Sequence, residues 1–222
     1  MLKVVVIDSG YGGEFFADRF EDEVNVVDVI RVIDWRHDKQ YLTSPKTARS
    51  LAATALCLYI GKVDLIIFAN HLLSSTSLRY FRRKYPEQKF IGLKLKQPDC
   101  FAKKNILILT TKALTKTMEY HGFLFALKRH RVKTLVVDDW PAKIDEGELS
   151  FSDIEKTIVD FTNKKGIVPD DIVMGCSQFE DIKPALKRLF GRKVKVYSSF
   201  DDTIREACKL LRIRGSIRKI KE

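Results

Sequence analysis

The chain has 222 residues, enough for one large hydrophobic core or two small ones without disulfide or metal staples. Its hydrophobic content of 45% is that of a globular protein, and no apolar run reaches the roughly 18 to 20 residues that cross a bilayer. The formal net charge of +11 admits a nucleic-acid partner, but 29 acidic residues are interleaved with the basic ones. We therefore expect a soluble protein with a solvated basic surface, and nucleic-acid binding is the less favoured alternative.

The N-terminal segment and the four cysteines indicate the compartment of the protein. The N-terminal MLKVVVIDSG has too short an apolar stretch for a signal peptide and is predicted to be a strand. Cys57, Cys100, Cys176 and Cys208 are widely separated and form no C-x-x-C pair, which argues against a zinc site or a disulfide framework. A reducing cytoplasm fits this pattern. Cys57 and Cys208 lie within helical apolar patterns and are expected to be inert core residues.

Short apolar runs alternate with helical segments along the chain, which is typical of parallel sheets flanked by helices. The predicted strands of the first half cover residues 2–8, 24–34, 64–70 and 89–95, and those of the second half cover 105–111, 133–139, 171–176 and 193–199. The sequence therefore predicts an α/β fold whose ligands bind at the carboxyl ends of the strands.

Two helices carry clear start and stop signals. Ser44, followed by a proline, opens a helix that is predicted to end at Gly61. Ser152 and Glu155 form a capping box before a helix that Gly166 ends. Both helices connect predicted strands, as a parallel sheet requires.

The most linker-like stretch is KQPDCFAKKN, near residues 96 to 105. Because the pattern of strands and helices repeats on either side of it, we predict two similar α/β lobes. The first lobe comprises residues 1–97 with about 200–222, and the second comprises residues 98–199.

The first strand ends in VIDSGYGG, where Asp8 and Ser9 precede a glycine-rich turn. Backbone N–H groups exposed in such a turn can cradle an anion. The dinucleotide fingerprint G-x-G-x-x-G would need glycine at position 15, which is Phe15, so NAD binding is not predicted. The alternative is that the glycines only make a tight turn and that Asp8 caps the next helix.

Two further strand ends, IIFANHLLSS and VMGCSQFED, occupy corresponding places in the two halves. Cys176 lies just past an apolar strand and ahead of a helix start predicted near Glu180 and Asp181, where backbone N–H groups favour a thiolate. The glycine before it and the polar residues after it indicate the mouth of a site. A lone cysteine of this kind is just as readily an inert core residue.

Four motifs, IDSGYGG, FANH, TKALTKTMEY and MGCSQF, resemble in their order and separation the cofactor-independent aspartate/glutamate racemase superfamily, and the glutamate racemase family in particular. The resemblance covers most of the chain. It implies two flavodoxin-like lobes with the active site in a cleft between them, and no cofactor. It also implies two cysteines, one from each lobe, that exchange the α-proton of the substrate on opposite faces.

The resemblance assigns roles to residues of the first lobe. Asp8 and Ser9 correspond to residues that contact the substrate amine and position the first cysteine. The loop that binds the substrate carboxylate falls on residues 40–42, where Tyr41 is kept and Leu42 replaces glycine. The cysteine-asparagine-threonine run falls on residues 69–71, where only Asn70 remains.

The second lobe supplies the remaining correspondences. Thr111, Thr117 and Tyr120 match a threonine, serine and tyrosine stretch, in which Leu114 replaces a second threonine. The glycine-cysteine-threonine-histidine run falls on residues 175–178. Cys176 and the hydroxyl of Ser177 are kept there, and Gln178 replaces the assisting histidine. An acidic helper before a glycine is matched, in a weaker alignment, by Asp145 or Glu146.

Two departures from the family pattern change the chemistry. Ala69 stands where the first cysteine is expected, and alanine can neither accept nor donate a proton. Gln178 cannot act as an acid or base at neutral pH, although its amide can bind a carboxylate. Loss of a catalytic acid or base costs about 2 to 4 orders of magnitude in rate, so full two-base racemisation is not expected.

Three hypotheses follow. In the first, Cys176 transfers a proton on one face of a small acidic amino acid or dicarboxylate, as in related one-cysteine decarboxylases, and in a variant His71 is the opposite base. In the second, the chain is a catalytically inactive family member that binds an acidic metabolite or a partner. The third, a nucleic-acid or regulatory module, ranks last.

The resemblance also implies a biological setting. It predicts an isomerase-type protein of amino-acid metabolism and cell-wall biogenesis that is located in the cytoplasm. The protein is expected to have no membrane partner and no metal site. The natural substrate and the oligomeric state are left open by the sequence, and a homodimer is compatible with it.

Overall fold

The computed structural model describes residues 1–41, 44–95, 101 and 105–213. The chain divides into two compact units. The first contains Met1–Lys94 and the C-terminal helix, and the second is Leu95–Ser199. Most of the predicted linker lies outside the described residues, as does Cys100.

The first unit is a parallel four-stranded sheet in the order β2-β1-β3-β4. Its strands are β1 (Leu2–Asp8), β2 (Val27–Ile33), β3 (Leu65–Phe68) and β4 (Phe90–Gly92). Its helices are α1 (Tyr11–Glu23), α2 (Asp38–Tyr41), α3 (Pro45–Leu56), α4 (His71–Lys84) and α10 (Phe200–Leu210), with a 3-10 helix at Trp35–His37.

The sheet of the first unit is covered on both faces, which explains why its central strands are apolar throughout. Alternate residues such as Val4, Val6 and Ile67 pack with Phe16 of α1 and Phe200 of α10. The intervening residues of the same strands pack with α3 and α4, through Ala48, Ala52, Leu73 and Phe81 among others. The carboxyl ends of β1 and β3 are therefore held between two packed helical layers.

The second unit repeats this topology with the order β6-β5-β7-β8, again all parallel. Its strands are β5 (Asn105–Thr110), β6 (Arg131–Val136), β7 (Asp171–Met174) and β8 (Lys195–Tyr197). Its helices are α5 (Lys112–Thr115), α6 (Met118–Ala126), α7 (Trp140–Asp145), α8 (Phe151–Lys165) and α9 (Lys183–Phe190), with a 3-10 helix at Ser177–Glu180.

The α/β fold class is confirmed, since each predicted apolar run overlaps a strand of one of two parallel sheets flanked by helices. The strands are shorter than predicted at most ends. In β3 and β7, for example, the residues that follow the strand leave the ladder and begin the next turn.

Several local predictions are wrong. The helix opened by Ser44 ends at Leu56, and Gly61, with φ of +78°, lies in the turn beyond it. The capping box is formed by Ser150 and Asp153, because Ser150 has the extended backbone of an N-cap while Ser152 is already helical. A 3-10 helix begins at Ser177, directly after Cys176 and three residues before the predicted start at Glu180, and it ends at Glu180.

The two described non-site cysteines behave differently. Cys57 is exposed, against expectation, because α3 has already ended and the residue caps it at the surface. Cys208 of α10 is buried as expected, and burial raises the pKa of its thiol. No helix in the described part of the chain is long and apolar enough to cross a membrane.

Candidate functional site

Asp8, the last residue of β1, is fully buried. Its Oδ1 accepts hydrogen bonds from the backbone N–H of Ser9 at 2.6 Å and from the amide Nδ2 of Asn70 at 2.7 Å. It does not cap α1, whose N-cap is Gly10 and has no side-chain capping bond. The carboxylate of Asp8 instead links the ends of two neighbouring strands.

The glycine-rich turn after Asp8 has a steric reason. A Cβ on Gly13 would clash with Cβ of Asp8 and with the side chain of Ile33, so the first turn of α1 can approach Asp8 only with glycine there. The turn is closed by a hydrogen bond of 3.1 Å from the N–H of Gly13 to the carbonyl of Gly10. The backbone of the IDSGYGG motif is thereby held against the carboxylate.

Ala69 lies beside Asp8. The parallel register pairs Ile7 with Phe68, so Asp8 and Ala69 are neighbours one step further along the two strands. Ala69 is fully buried and belongs to the same side-chain cluster as Val6 and Ile67, on the α1 face of the sheet. A side chain at position 69 therefore shares a sheet face with Asp8.

Asn70 and His71 begin α4. The Oδ1 of Asn70 accepts from the N–H of Leu73 at 2.9 Å and caps the helix, while its Nδ2 donates to Asp8. His71 is the first helical residue and only 5% exposed, and burial lowers its pKa to about 4. The imidazole is thus neutral at physiological pH and a weak base.

Tyr41 is buried at the end of α2 and its hydroxyl donates to Oδ2 of Asp34 at 3.1 Å. Burial, with the added charge of Asp34 and Asp8, raises the pKa of Tyr41, so the phenol keeps its proton. Leu42, the neighbouring residue of the predicted carboxylate loop, lies outside the described residues.

Asp34 is a further candidate site residue that the sequence analysis did not identify. Its Oδ1 is 2.7 Å from Nδ1 of His37, and its backbone N–H donates to the carbonyl of Asp8 at 2.9 Å. The residue directly follows β2, so the strand-end argument that identified Asp8 would have found it had the end of β2 been placed correctly. Asp8, Asp34 and Tyr41 give this strand edge a concentration of carboxylate and phenol oxygens.

Cys176 follows β7, the strand that occupies in its own sheet the position that β3 occupies in the first. The half-buried thiol donates to Oε1 of Gln178 at 2.9 Å, and the hydroxyl of the buried Ser177 lies 3.2 Å from the same oxygen. Three of the predicted site residues are therefore connected by one amide group.

Gly175 allows this turn to form close to β5. A Cβ there would come within 2.9 Å of Oγ1 of Thr110 and 3.1 Å of Leu114, and its N–H donates to the carbonyl of Leu109 at 2.8 Å. The start of α5, where Thr111 is the N-cap without a side-chain capping bond, is thus adjacent to the Cys176 turn.

Thr117 and Tyr120 have local structural roles. The hydroxyl of Thr117 donates to the carbonyl of Leu114 at 2.8 Å and accepts from the N–H of Tyr120 at 3.2 Å, which caps α6. The phenol of Tyr120 lies 2.5 Å from Oγ1 of Thr134 on β6. These contacts account for both side chains without a ligand.

The two candidate acidic helpers end α7. Asp145 is half-buried, whereas Glu146 is exposed at the C-cap. This helix lies against the turn after Cys176, where the rings of Trp140 and Phe179 meet edge to face with centroids 6.1 Å apart. The described residues contain no group of three or more His, Cys, Asp or Glu side chains that could hold a metal ion.

Known proteins with similar sequences are glutamate racemases. The glutamate racemase of Campylobacter jejuni is 26% identical over 212 residues, covering 90% of this chain and 82% of the relative, and that of Sulfurovum sp. is 23% identical over 227 residues, covering 96% and 84%. These relatives support a place for the chain in the aspartate/glutamate racemase superfamily.

Solved structures of glutamate racemases share the fold of this chain. Escherichia coli glutamate racemase, solved with L-glutamate and the activator UDP-MurNAc-Ala, matches with a TM-score of 0.82 at 18% identity, over 100% of this chain and 85% of that one. No family model matches the chain. The relatives support a racemase-family, isomerase-type function, and a cell-wall role is typical of glutamate racemase.

Proposed function

We propose that the protein is a cofactor-independent enzyme of this superfamily that moves the α-proton of a small acidic amino acid on one face only, through Cys176. The observation that carries the proposal is the contrast between two equivalent strand ends. A thiol held by Gln178 follows β7, while Ala69, which cannot exchange a proton, follows β3. The superfamily relationship supplies the reaction class.

The proposed step is a proton transfer at the α-carbon. The thiolate of Cys176 accepts the α-proton, the electron pair of the C–H bond moves into the substrate carboxylate as an enediolate, and the resulting thiol returns a proton to the same face. Between removal and return, the sulfur proton exchanges with solvent. The product therefore keeps its configuration but carries a solvent-derived proton.

Gln178 suits a thiol that cycles between two protonation states. In the observed arrangement its Oε1 accepts from the thiol, and rotation of the amide would present its N–H groups to a thiolate. The amide can therefore stabilise both forms without taking the proton itself. Ser177, on the same oxygen, adds a hydroxyl that can donate to a substrate carboxylate.

The first unit is proposed to bind the amino group. Asp8 and Asp34 contribute two carboxylates at the ends of β1 and β2, and Asn70 and Ser9 flank Asp8. Such a charge distribution favours a cationic ammonium group. His71 is left out of the proposed chemistry, because a histidine with a pKa of about 4 is too weak a base to remove an α-proton.

The test is hydrogen exchange in deuterated water, followed by NMR, with L- and D-aspartate and L- and D-glutamate. We expect loss of the α-proton signal without change of configuration, in the wild type and in Cys57→Ser, which removes an exposed thiol elsewhere. We expect Cys176→Ser to lose at least about 2 to 4 orders of magnitude of that rate. Exchange that survives in Cys176→Ser, or inversion of configuration in the wild type, contradicts the proposal.

The inactive binder is the second candidate, and it is favoured by one observation: the amide nitrogen of Asn70 already donates to Asp8, and its amide oxygen already caps α4. Calorimetric binding of glutamate without exchange on any substrate would support it. Because a one-cysteine decarboxylase exchanges nothing with amino acids, carbon dioxide release from substituted malonates is measured in the same series.

A further inference from the structure

Helices α3 and α4 form a surface with an unusual charge. They pack side by side on one face of the first sheet, where both contribute to the same buried cluster. Together the segments PKTARSLAATAL and HLLSSTSLRYFRRK contain six lysine and arginine residues and no aspartate or glutamate. This face therefore holds a large share of the net charge of +11.

Arg49 connects the two helices. Its Nε donates to the carbonyl of Thr76 on α4 at 3.0 Å, and its guanidinium carbon lies 5.5 Å from the ring centroid of Tyr80. Nζ of Lys84 lies 5.7 Å from the same ring. Tyr80, 39% exposed, is thus an aromatic ring at the surface flanked by two cations.

The helical repeat places further cations of α4 on the same side as Tyr80 and Lys84. Arg79 and Arg83 are three and seven residues after Thr76, so they lie on the side of α4 that faces Arg49. Arg82 points elsewhere, because its guanidinium donates to the carbonyl of Phe90 and approaches Glu206 at 3.9 Å. We call the resulting surface the basic face, and its members are Lys46, Arg49, Arg79, Tyr80, Arg83 and Lys84.

Helix electrostatics do not explain the basic face. Cations in the last turn of α4 complement the helix dipole, but the dipole also favours acidic residues in the first turn, and both helices lack them. Lys46 lies at the unfavourable amino-terminal end of α3. By contrast, α8 of the second unit combines three lysines with Asp153, Glu155 and Asp160. Helix α9 also has three cations and no acidic residue, but its Lys183 pairs with Glu180 and its Arg188 lies over the ring of Phe151.

We propose that the basic face binds single-stranded nucleic acid, with its cations on successive phosphates and a base stacked on Tyr80 in place of the Lys84 ammonium group. Exposed cations beside an aromatic ring are the combination that single-strand binding uses, since phosphate contacts supply affinity and any base can stack. Tyr80 is the one exposed large apolar side chain in the described residues of α3 and α4. A single such side chain offers too little apolar surface for insertion into a membrane. The proposal is independent of the proton-transfer chemistry.

The test measures binding of the full chain to a labelled single-stranded RNA of about 20 nucleotides, by fluorescence anisotropy from about 50 to 200 mM salt. In Arg79→Gln/Arg83→Gln we expect about tenfold weaker binding at low salt. The slope of log K against log salt should fall by about 1.4, because each single-strand phosphate contact contributes about 0.7. Tyr80→Ala should weaken binding severalfold and leave the slope unchanged, because stacking releases no counterions.

The matched control is Lys164→Gln/Lys165→Gln, which removes the same charge from the last turn of α8. We expect less than about a twofold change in that variant. Equal losses in the two double variants would show attraction by net charge alone and overturn the proposal. Phosphatidylserine vesicles or poly-glutamate bound as tightly as the RNA at equal salt would also overturn it. Proton exchange should be unchanged in all of these variants.

Discussion

The hydroxyl of Tyr41 donates its hydrogen bond to Oδ2 of Asp34, across 3.1 Å. Since the phenolic proton is directed at a carboxylate, the oxygen of Tyr41 offers only lone pairs to anything else that approaches it. It therefore suits a donor such as an ammonium group better than a carboxylate. The sequence resemblance implied that Tyr41 contacts the substrate carboxylate; from this hydrogen bond we predict contact with the substrate ammonium group instead.

The first prediction concerns Asp34→Asn. The neutral amide removes one of the negative charges that raise the pKa of Tyr41, so that pKa should fall towards its ordinary value, as measured by ultraviolet titration of tyrosinate. Asp34 does not reach the α-carbon in the proposed chemistry, so KM for glutamate should rise more than kcat falls. Tyr41→Phe, which removes the same hydrogen bond but keeps the Asp34 carboxylate, is the control for the change in KM. An unchanged Tyr41 titration in Asp34→Asn would contradict the hydrogen bond.

The second prediction concerns Gln178. Gln178→Ala removes the acceptor of the Cys176 thiol, and the loss of one hydrogen bond of about 1 kcal/mol should slow exchange roughly five- to tenfold. Gln178→His places an imidazole with an ordinary pKa near 6.5 beside the thiol and should speed exchange above that of the wild type near neutral pH. The pH profile of exchange separates the two, since only the histidine variant should gain a step near pH 6.5. Identical profiles would show that position 178 does not contact the reacting thiol.

The sequence predicted the architecture well because buried parallel strands are apolar on both faces, and runs such as VVVI and LIIF are unmistakable. It did not locate the end of β2, where charged and apolar residues alternate up to Asp34 without a visible stop. Asp34 was consequently counted as a strand residue. Ser150 and Ser152 both satisfy the capping pattern three residues ahead of an acid, and only the backbone conformation distinguishes them.

The site was predicted unevenly for a similar reason. Asp8 and Asn70 follow strands in the sequence, so their proximity follows from parallel pairing, which the structure shows as a direct hydrogen bond. The burial of His71 could not be predicted, because it depends on how α4 packs against the sheet and not on any local pattern. The exposure of Cys57 could not be predicted either, because it depends on where α3 ends.

The third prediction concerns pH and His71. Burial lowers the folded-state pKa to about 4, below the ordinary value of about 6.5 in the unfolded chain, so the unfolded state takes up this proton first. The free energy of unfolding should therefore decrease as the pH falls from about 6.5 to about 4, by up to ~3 kcal/mol from this group. Urea unfolding at several pH values measures it.

The matched variants are His71→Asn and His121→Asn. His71→Asn should flatten the decrease of the unfolding free energy between about pH 6.5 and about 4, although this variant is less stable at neutral pH. His121→Asn changes an exposed histidine of α6 and should leave the pH dependence as in the wild type. If the slope persists in His71→Asn, other groups cause it and His71 is not buried in the neutral form.

The last prediction concerns Ala69. Because position 69 shares a sheet face with Asp8 and is its neighbour in register, the thiol of Ala69→Cys should lie next to the Asp8 carboxylate, which can accept its proton. We expect this variant to gain interconversion of L- and D-glutamate, measured by chiral chromatography, while exchange through Cys176 continues. Ala69→Ser is nearly the same size but supplies no thiolate and should gain nothing. Since Ala69 is fully buried, both variants should lose about 1 to 3 kcal/mol of stability, which urea unfolding reports. A folded Ala69→Cys that still exchanges with retention would show that this strand end no longer faces the substrate.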